Sequence, residues 1–217
     1  GGGFGGGGGQ GREGGFGGGG GAGGKGGFGG GNDGGGGGGL GGALFVHQGT
    51  LTIVNSTLSG NSARGGTTGA DGQTGAGLSG AIFVLNGTAN LINATVAANV
   101  VSSSGMGGGG ALYAVSLGAG APTATVNISN TILDGSLDTG GTAAGDTALN
   151  KVNGSVNASF VKSLSTSAPF LVNMPTVTGA PTTMGAMLGA LADNGGATAT
   201  HVPQMGSPAI DAGDPAT

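Results

Sequence analysis

Gly42-Ala43-Leu44-Phe45-Val46 opens a block that returns as Gly80-Ala81-Ile82-Phe83-Val84 and again as Gly110-Ala111-Leu112-Tyr113-Ala114. A second block follows each: Asn55-Ser56-Thr57-Leu58-Ser59-Gly60-Asn61, Asn93-Ala94-Thr95-Val96-Ala97-Ala98-Asn99 and Asn130-Thr131-Ile132-Leu133-Asp134-Gly135-Ser136. Gly41–Asn61 aligns on Ser79–Asn99 without a gap. Such self-similarity marks stacked repeats, because a single unit cannot cover its own apolar face and must bury it against the next. Within a unit, the short apolar runs Ala43–Val46, Leu51–Val54 and Thr57–Leu58 are bounded by Gly and Asn. That suits two or three strands per coil. The fold expected over residues 40–217 is therefore all-β, a parallel β-helix whose coils stack about 4.8 Å apart.

Between the coils lie two glycine-rich excursions, 62–78 and 100–109. They leave equivalent points, so they should emerge on one side of the stack and meet the glycine-rich N-terminal arm there. The third coil is looser, with a longer turn around Gly118–Pro122 before the alternating run Thr125–Ser129.

The arm, residues 1–39, has a phase. Phe4, Phe16, Phe28 and Leu40 are spaced by twelve, and Gln10, Glu13, Ala22 and Lys25 share their register modulo three; only Arg12, Asn32 and Asp33 break it. A three-residue period matches an extended helix of the polyproline II type. One edge then carries side chains while bare glycine edges let backbones approach and pair. The expectation is a polyglycine II arm with the Phe row as its hydrophobic seam. The competing reading is a disordered glycine tether. A straight rod of this length would span roughly 120 Å at about 3.1 Å per residue, so an ordered arm must fold back or reach a neighbouring molecule.

Asn55, Asn93 and Asn130 occupy corresponding positions in successive coils. Stacked amides can bond to one another and to turn backbones, so an asparagine ladder is expected. The alternative is glycosylation, because Asn55, Asn86, Asn93, Asn127, Asn153 and Asn157 all lie in N-x-Ser/Thr sequons.

Composition narrows the function classes. Gly supplies 60 of 217 residues, charged residues make up 6%, and the net charge is −4. Five Lys and Arg cannot build the basic surface that nucleic acid requires, so that partner is excluded. With no Cys there is neither a disulfide nor a thiolate metal site. No apolar run approaches the length of a membrane span.

The repeats resemble the GGA-I and F-x-x-N repeats of bacterial polymorphic outer-membrane proteins and related right-handed β-helix surface proteins. The matching segments are Gly41-Gly42-Ala43-Leu44, Ser79-Gly80-Ala81-Ile82 and Gly109-Gly110-Ala111-Leu112. Leu58-Ser59-Gly60-Asn61 and Val96-Ala97-Ala98-Asn99 carry an aliphatic residue where that family has Phe. The tail, Leu188-Gly189-Ala190-Leu191-Ala192-Asp193-Asn194-Gly195-Gly196 and Gly206-Ser207-Pro208-Ala209-Ile210-Asp211-Ala212-Gly213, is similar to the end of the β-helix in secreted proteins with a sorting anchor of the "choice-of-anchor" kind. The resemblance implies a right-handed β-helix and a secreted or cell-surface bacterial protein, with more sequence after Thr217.

Parallel β-helices also host polysaccharide lyases and hydrolases, which need clustered carboxylates. The candidates Asp134, Asp138 and Asp146 lie in a Gly/Thr-rich loop and read as turn residues. Asp193, Asp211 and Asp214 read as turns closing the last coils. His47 is replaced by Leu85 in the next coil, and His201 stands alone. The reading is therefore not an enzyme, with no catalytic, cofactor-binding or metal residue. The expected function is an extracellular structural protein, a self-assembling subunit of a surface filament or matrix. Phe4, Phe16, Phe28, Leu40, Asn55, Asn93 and Asn130 are its structural and assembly residues, and a second copy is its first partner. The alternatives are a monomeric adhesin module that binds surface glycans and, behind it, a lyase- or hydrolase-like enzyme.

Overall fold

The computed structural model describes residues 4–68, 71–102, 108–140 and 145–215. Among these residues the protein is all-β, with parallel sheets and no helix. Each pass of the chain places one strand in each of three five-stranded sheets before the next pass begins. The first sheet holds Leu44–His47, Ile82–Leu85, Leu112–Ser116, Thr147–Lys151 and Phe170–Val172. The second holds Thr50–Val54, Thr88–Ile92, Ala124–Ser129, Val156–Val161 and Thr176–Thr178. The third holds Thr57–Ser59, Thr95–Ala97, Ile132–Asp134, Leu164–Ser165 and Thr182–Thr183. Every strand pairs in parallel with its counterpart one pass away, as in Leu44↔Ile82 and Ile82↔Leu112.

Strand alternation explains the core. Ile53, Leu91, Ile128 and Phe160 are successive inward residues of one column in the second sheet. With Val84, Ala114 and Leu149 of the first sheet and Val96 and Leu133 of the third, they form a single apolar cluster. Burial of a Leu- or Ile-sized side chain contributes about 1.5–3 kcal/mol, and one such layer repeats at each pass.

Between sheets, the chain turns through single residues in the left-handed region. Asn55, Asn93 and Asn130 hold φ of 48°, 53° and 47°, and Lys162 continues the column at 47°, while Gly179, opposite Phe160, turns the last pass at 70°. The stacked asparagines thus serve the corner through their backbones: Asn55 N donates to Ile92 O and Asn93 N to Ser129 O, both at 3.1 Å. Asn tolerates this conformation better than most residues. The expected side-chain ladder forms elsewhere, where Asn61 Nδ2 donates to Asn99 Oδ1 at 3.0 Å and Asn127 Nδ2 to Asn90 Oδ1 at 2.9 Å.

Both stretches read as excursions begin with strands. Ser62–Arg64, Val100–Ser102 and Leu137–Asp138 form a three-stranded parallel sheet. The glycine-rich path starts only at Gly65 in the first; residues 103–107 of the second lie outside the described residues.

The arm folds back on itself. It turns at Gly5, Gly11, Gly17, Gly23 and Gly29, each with positive φ and six residues apart. The N–H groups of Gly5, Gly8, Gly11, Gly14, Gly17 and Gly20 donate to the carbonyls of Phe16, Gly19, Ala22, Lys25, Phe28 and Gly31, so donors recur every three residues and the path every twelve. A Cβ on Gly18 would overlap Gly6 O, and one on Gly30 would overlap Gly18 O. Backbone therefore packs on backbone. The first excursion joins this layer through Gly66 N to Gly37 O at 2.7 Å and Gly36 N to Gln73 O at 3.0 Å.

After Thr183 the chain leaves the parallel sheets. Antiparallel bridges Leu188↔Pro203 and Ala192↔Thr200 make a hairpin, and Asp193 accepts from Gly195 N at 2.9 Å in its turn. The tail therefore does not add coils.

Candidate interaction surfaces

The outward side chains of the first sheet include an aromatic column, Phe45, Phe83 and Tyr113, stacked at 5.4 and 5.5 Å with interplanar angles of 6° and 3°. A second column, Phe4, Phe16 and Phe28, comes from the arm, with centroids 4.9 and 5.5 Å apart. The two mesh: Phe16 lies 6.2 Å from Phe83, and Phe28 lies 6.4 Å from Tyr113. Leu40 packs against the same buried cluster. Thus Phe16, Phe28 and Leu40 seat the arm on its own chain, and Phe4 caps the row with 58% of its surface exposed. Burial pushes the Tyr113 phenol up to about 12, partly opposed by the hydrogen bond that Asn150 Nδ2 donates to its oxygen at 2.8 Å.

The tail lies along the third sheet. His201 Nε2 is 2.8 Å from Ser59 Oγ in the first pass, and its Nδ1 is 2.7 Å from Gly189 O. Because a carbonyl only accepts, Nδ1 carries a proton and donates to Gly189 O, while Nε2 pairs with the serine hydroxyl. Further along, Asp134 Oδ1 accepts from Ala186 N at 2.8 Å, and Asn130 exchanges two hydrogen bonds with the Asp214 backbone, each 2.9 Å. His201 is thus a strap contact, although the sequence marks it only as an isolated residue. A cleft of about 370 Å³ between the tail and the last passes is lined by Lys162, Thr182 and Asp211 among others.

Among the described residues the outer face of the second sheet is open. Its outward rows run Thr50, Thr88, Thr125, Asn157, Thr176 and, beside them, Thr52, Asn90, Asn127, Ser159, Thr178. A third row is Val54, Ile92, Ser129 and Val161, where Val54 and Val161 are 47% and 44% exposed. No charged or aromatic residue occurs in these rows.

The carboxylates weighed for catalysis are occupied structurally. Asp146 is buried; its Oδ1 accepts from Ser136 N at 3.1 Å and its Oδ2 from Ser165 Oγ at 2.9 Å and Thr166 N at 2.8 Å. Asp138 accepts from Gly140 N at 3.0 Å and Gly108 N at 3.3 Å. The His47 ring lies 5.0 Å from that of Phe4, tilted by 46°. A shallow cleft of about 250 Å³ on the short fourth side is lined, among the described residues, by Ser62, Ala63, Arg64, Val100, Ser102 and Thr139, none of them a carboxylate. Among the described residues no group of three or more His, Asp or Glu is placed to hold a metal. Among the sequons, Asn86 is buried, with its amide donating to Leu117 O and accepting from Leu117 N, so this side chain is not accessible to a glycosyltransferase.

Among the described residues no helix is long and apolar enough to cross a membrane. Comparison of the chain with known protein families, curated proteins and solved structures gives no match.

Proposed function

We propose that the successive passes wind as a right-handed parallel β-helix, that the arm is a polyglycine II layer docked on its first face, and that the protein is an extracellular structural subunit that polymerises end to end. Right-handed winding is favoured because a strand–crossover–parallel strand connection is nearly always right-handed. The polyglycine II reading rests on hydrogen-bond donors recurring every three residues and on backbone-to-backbone packing. The bacterial cell-surface setting rests on the resemblance of the GGA-I-like repeats and the tail.

One observation carries the assembly. At both ends of the stack the outermost strands of all three long sheets pair on one side only among the described residues. Core columns end there in apolar side chains: Val46 at one end is partly buried, and Leu171 at the other is 47% exposed. Unpaired parallel edges over an open apolar core are a template for another copy, and a head-to-tail contact that does not close on itself generates a filament.

The test is electron cryo-microscopy of the secreted material, with Leu171→Lys as the variant. Filaments repeating at the length of a whole stack, abolished by Leu171→Lys in a protein that still folds, establish the reading. Single rods from the wild type at high concentration overturn it.

A further inference from the structure

Two of the three long faces are closed by the chain itself, the first by the glycine arm and the third by the tail. The second sheet presents the third long face, which among the described residues is bare. We propose that this face binds ice.

Its geometry is a lattice. Parallel register places each row directly across from the next, with strands about 4.8 Å apart and outward residues i and i+2 about 6.7 Å apart along a strand. Both repeats lie close to those of oxygen rows on the surface planes of hexagonal ice. Thr dominates the first row, and each Thr offers a hydroxyl and a methyl on a β-branched stem stiff at χ1. The backbone beneath is fixed by fully buried Leu91, Val126 and Ile128. The amides within the second row are held as well, because Asn127 donates to Asn90 and Asn90 Nδ2 reaches Thr52 Oγ1 at 3.4 Å. A rigid neutral array of this kind orders its first water layer through hydroxyls and amides while the methyls exclude water between them. Ions would hold their own hydration shells and spoil the match.

The same features discriminate against other occupants. An acidic polymer or a mineral surface needs charge, and these rows carry none. A sugar ring is recognised on a flat face by stacking on an aromatic side chain, and there is none here. A second copy is disfavoured by size. Five strands by five residues give a flat footprint of roughly 400 Å², small beside the ~800 Å² of accessible surface per partner in a standard stable interface. An ice front has no such limit, since it meets every row at once.

The test uses the full chain in two assays, ice-crystal shaping with thermal hysteresis and inhibition of ice recrystallisation. The wild type is expected to shape crystals and to block recrystallisation. Thr88→Lys and Thr125→Tyr, both on the open face, should lose both activities at concentrations where the wild type is fully active. Ala197→Lys, an exposed change in the tail hairpin, should keep them. Circular dichroism melts confirm that the variants fold; if Thr88→Lys does not, Thr52→Tyr on the outermost strand replaces it. A wild type with no effect on ice overturns the proposal. So does full activity in the folded face variants, or an equal loss in Ala197→Lys.

Discussion

The glycine layer and the β passes are two stacks in one chain, built on opposite terms. In the β passes, neighbouring strands share hydrogen bonds and side chains fill the space between sheets, so Leu91, Val126 and Ile128 are wholly buried. In the glycine layer the backbones of successive twelve-residue turns touch, and at inner positions such as Gly18, Gly24 and Gly30 the place of a side chain is filled by a carbonyl oxygen. The first stack gains from apolar burial. The second has almost no apolar surface and depends on hydrogen bonds, against the large entropy that unfolded glycine must lose. The difference teaches what seats the arm: its Phe column meshes with Phe83 and Tyr113, so the β stack supplies the apolar contact the glycine lacks.

Phe83→Ala breaks the comparison most strongly, because this buried ring belongs to both stacks. We expect a loss of about 4 kcal/mol, read as a lower denaturant midpoint, with hydrogen exchange rising across the arm as well as the first sheet. Gly30→Val separates the two. The added side chain meets the Gly18 backbone, which has no rotamer to yield, and we expect about 3 kcal/mol of overpacking. Exchange protection should vanish in residues 5–39 and persist at Ile82–Leu85 and Thr88–Ile92. Persisting protection in the arm would show that its legs can separate without penalty.

Alkaline titration probes the seam between the stacks. The Tyr113 phenol ionises near pH 10 when unfolded and at about 12 in the folded protein. The unfolded state therefore loses its proton first, so stability is unchanged below pH 10 and falls as pH rises towards 12, by up to about 3 kcal/mol. Chemical denaturation between pH 9 and pH 12, compared with Tyr113→Phe, measures it; identical curves would place Tyr113 in contact with water.

The smallest effect sharpens the corners. Ala98 holds φ of 53° in a stacked column where its neighbours are Gly60 at 69° and Gly135 at 60°. Ala98→Gly relieves that strain and should stabilise the protein by about 1 kcal/mol. A destabilised variant would mean that unfolded-chain entropy outweighs the strain.

Much of this was legible where the chemistry is local and repetitive. The aligned blocks at Gly42, Gly80 and Gly110 mark strands that pair in register, because repeat units of one length stack like on like. The modulo-three phase of Phe4, Phe16 and Phe28 marks a ladder, because a three-residue turn returns every third residue to the same edge of its leg. Later passes, Thr147–Val161 and Phe170–Thr183, share no such block and emerge only through pairing. The asparagine trio was legible as a column but not in its role, since a left-handed corner and an amide ladder select the same residue. The amide pairs that do form, Asn61 with Asn99 and Asn90 with Asn127, sit at equally regular positions, and only side-chain direction separates the two sets.

By itself the sequence determined the repeat length, the all-β character, the three-residue phase of the arm and the near absence of charge. These follow from backbone sterics and from the spacing of apolar side chains. Only the tertiary structure decided that the arm turns every six residues, that its rings mesh with the first sheet, that His201 ties the tail to Ser59, and that one long face stays bare. Each of those rests on contacts between residues far apart in the chain, and long-range packing leaves no local signature in the residues that make it.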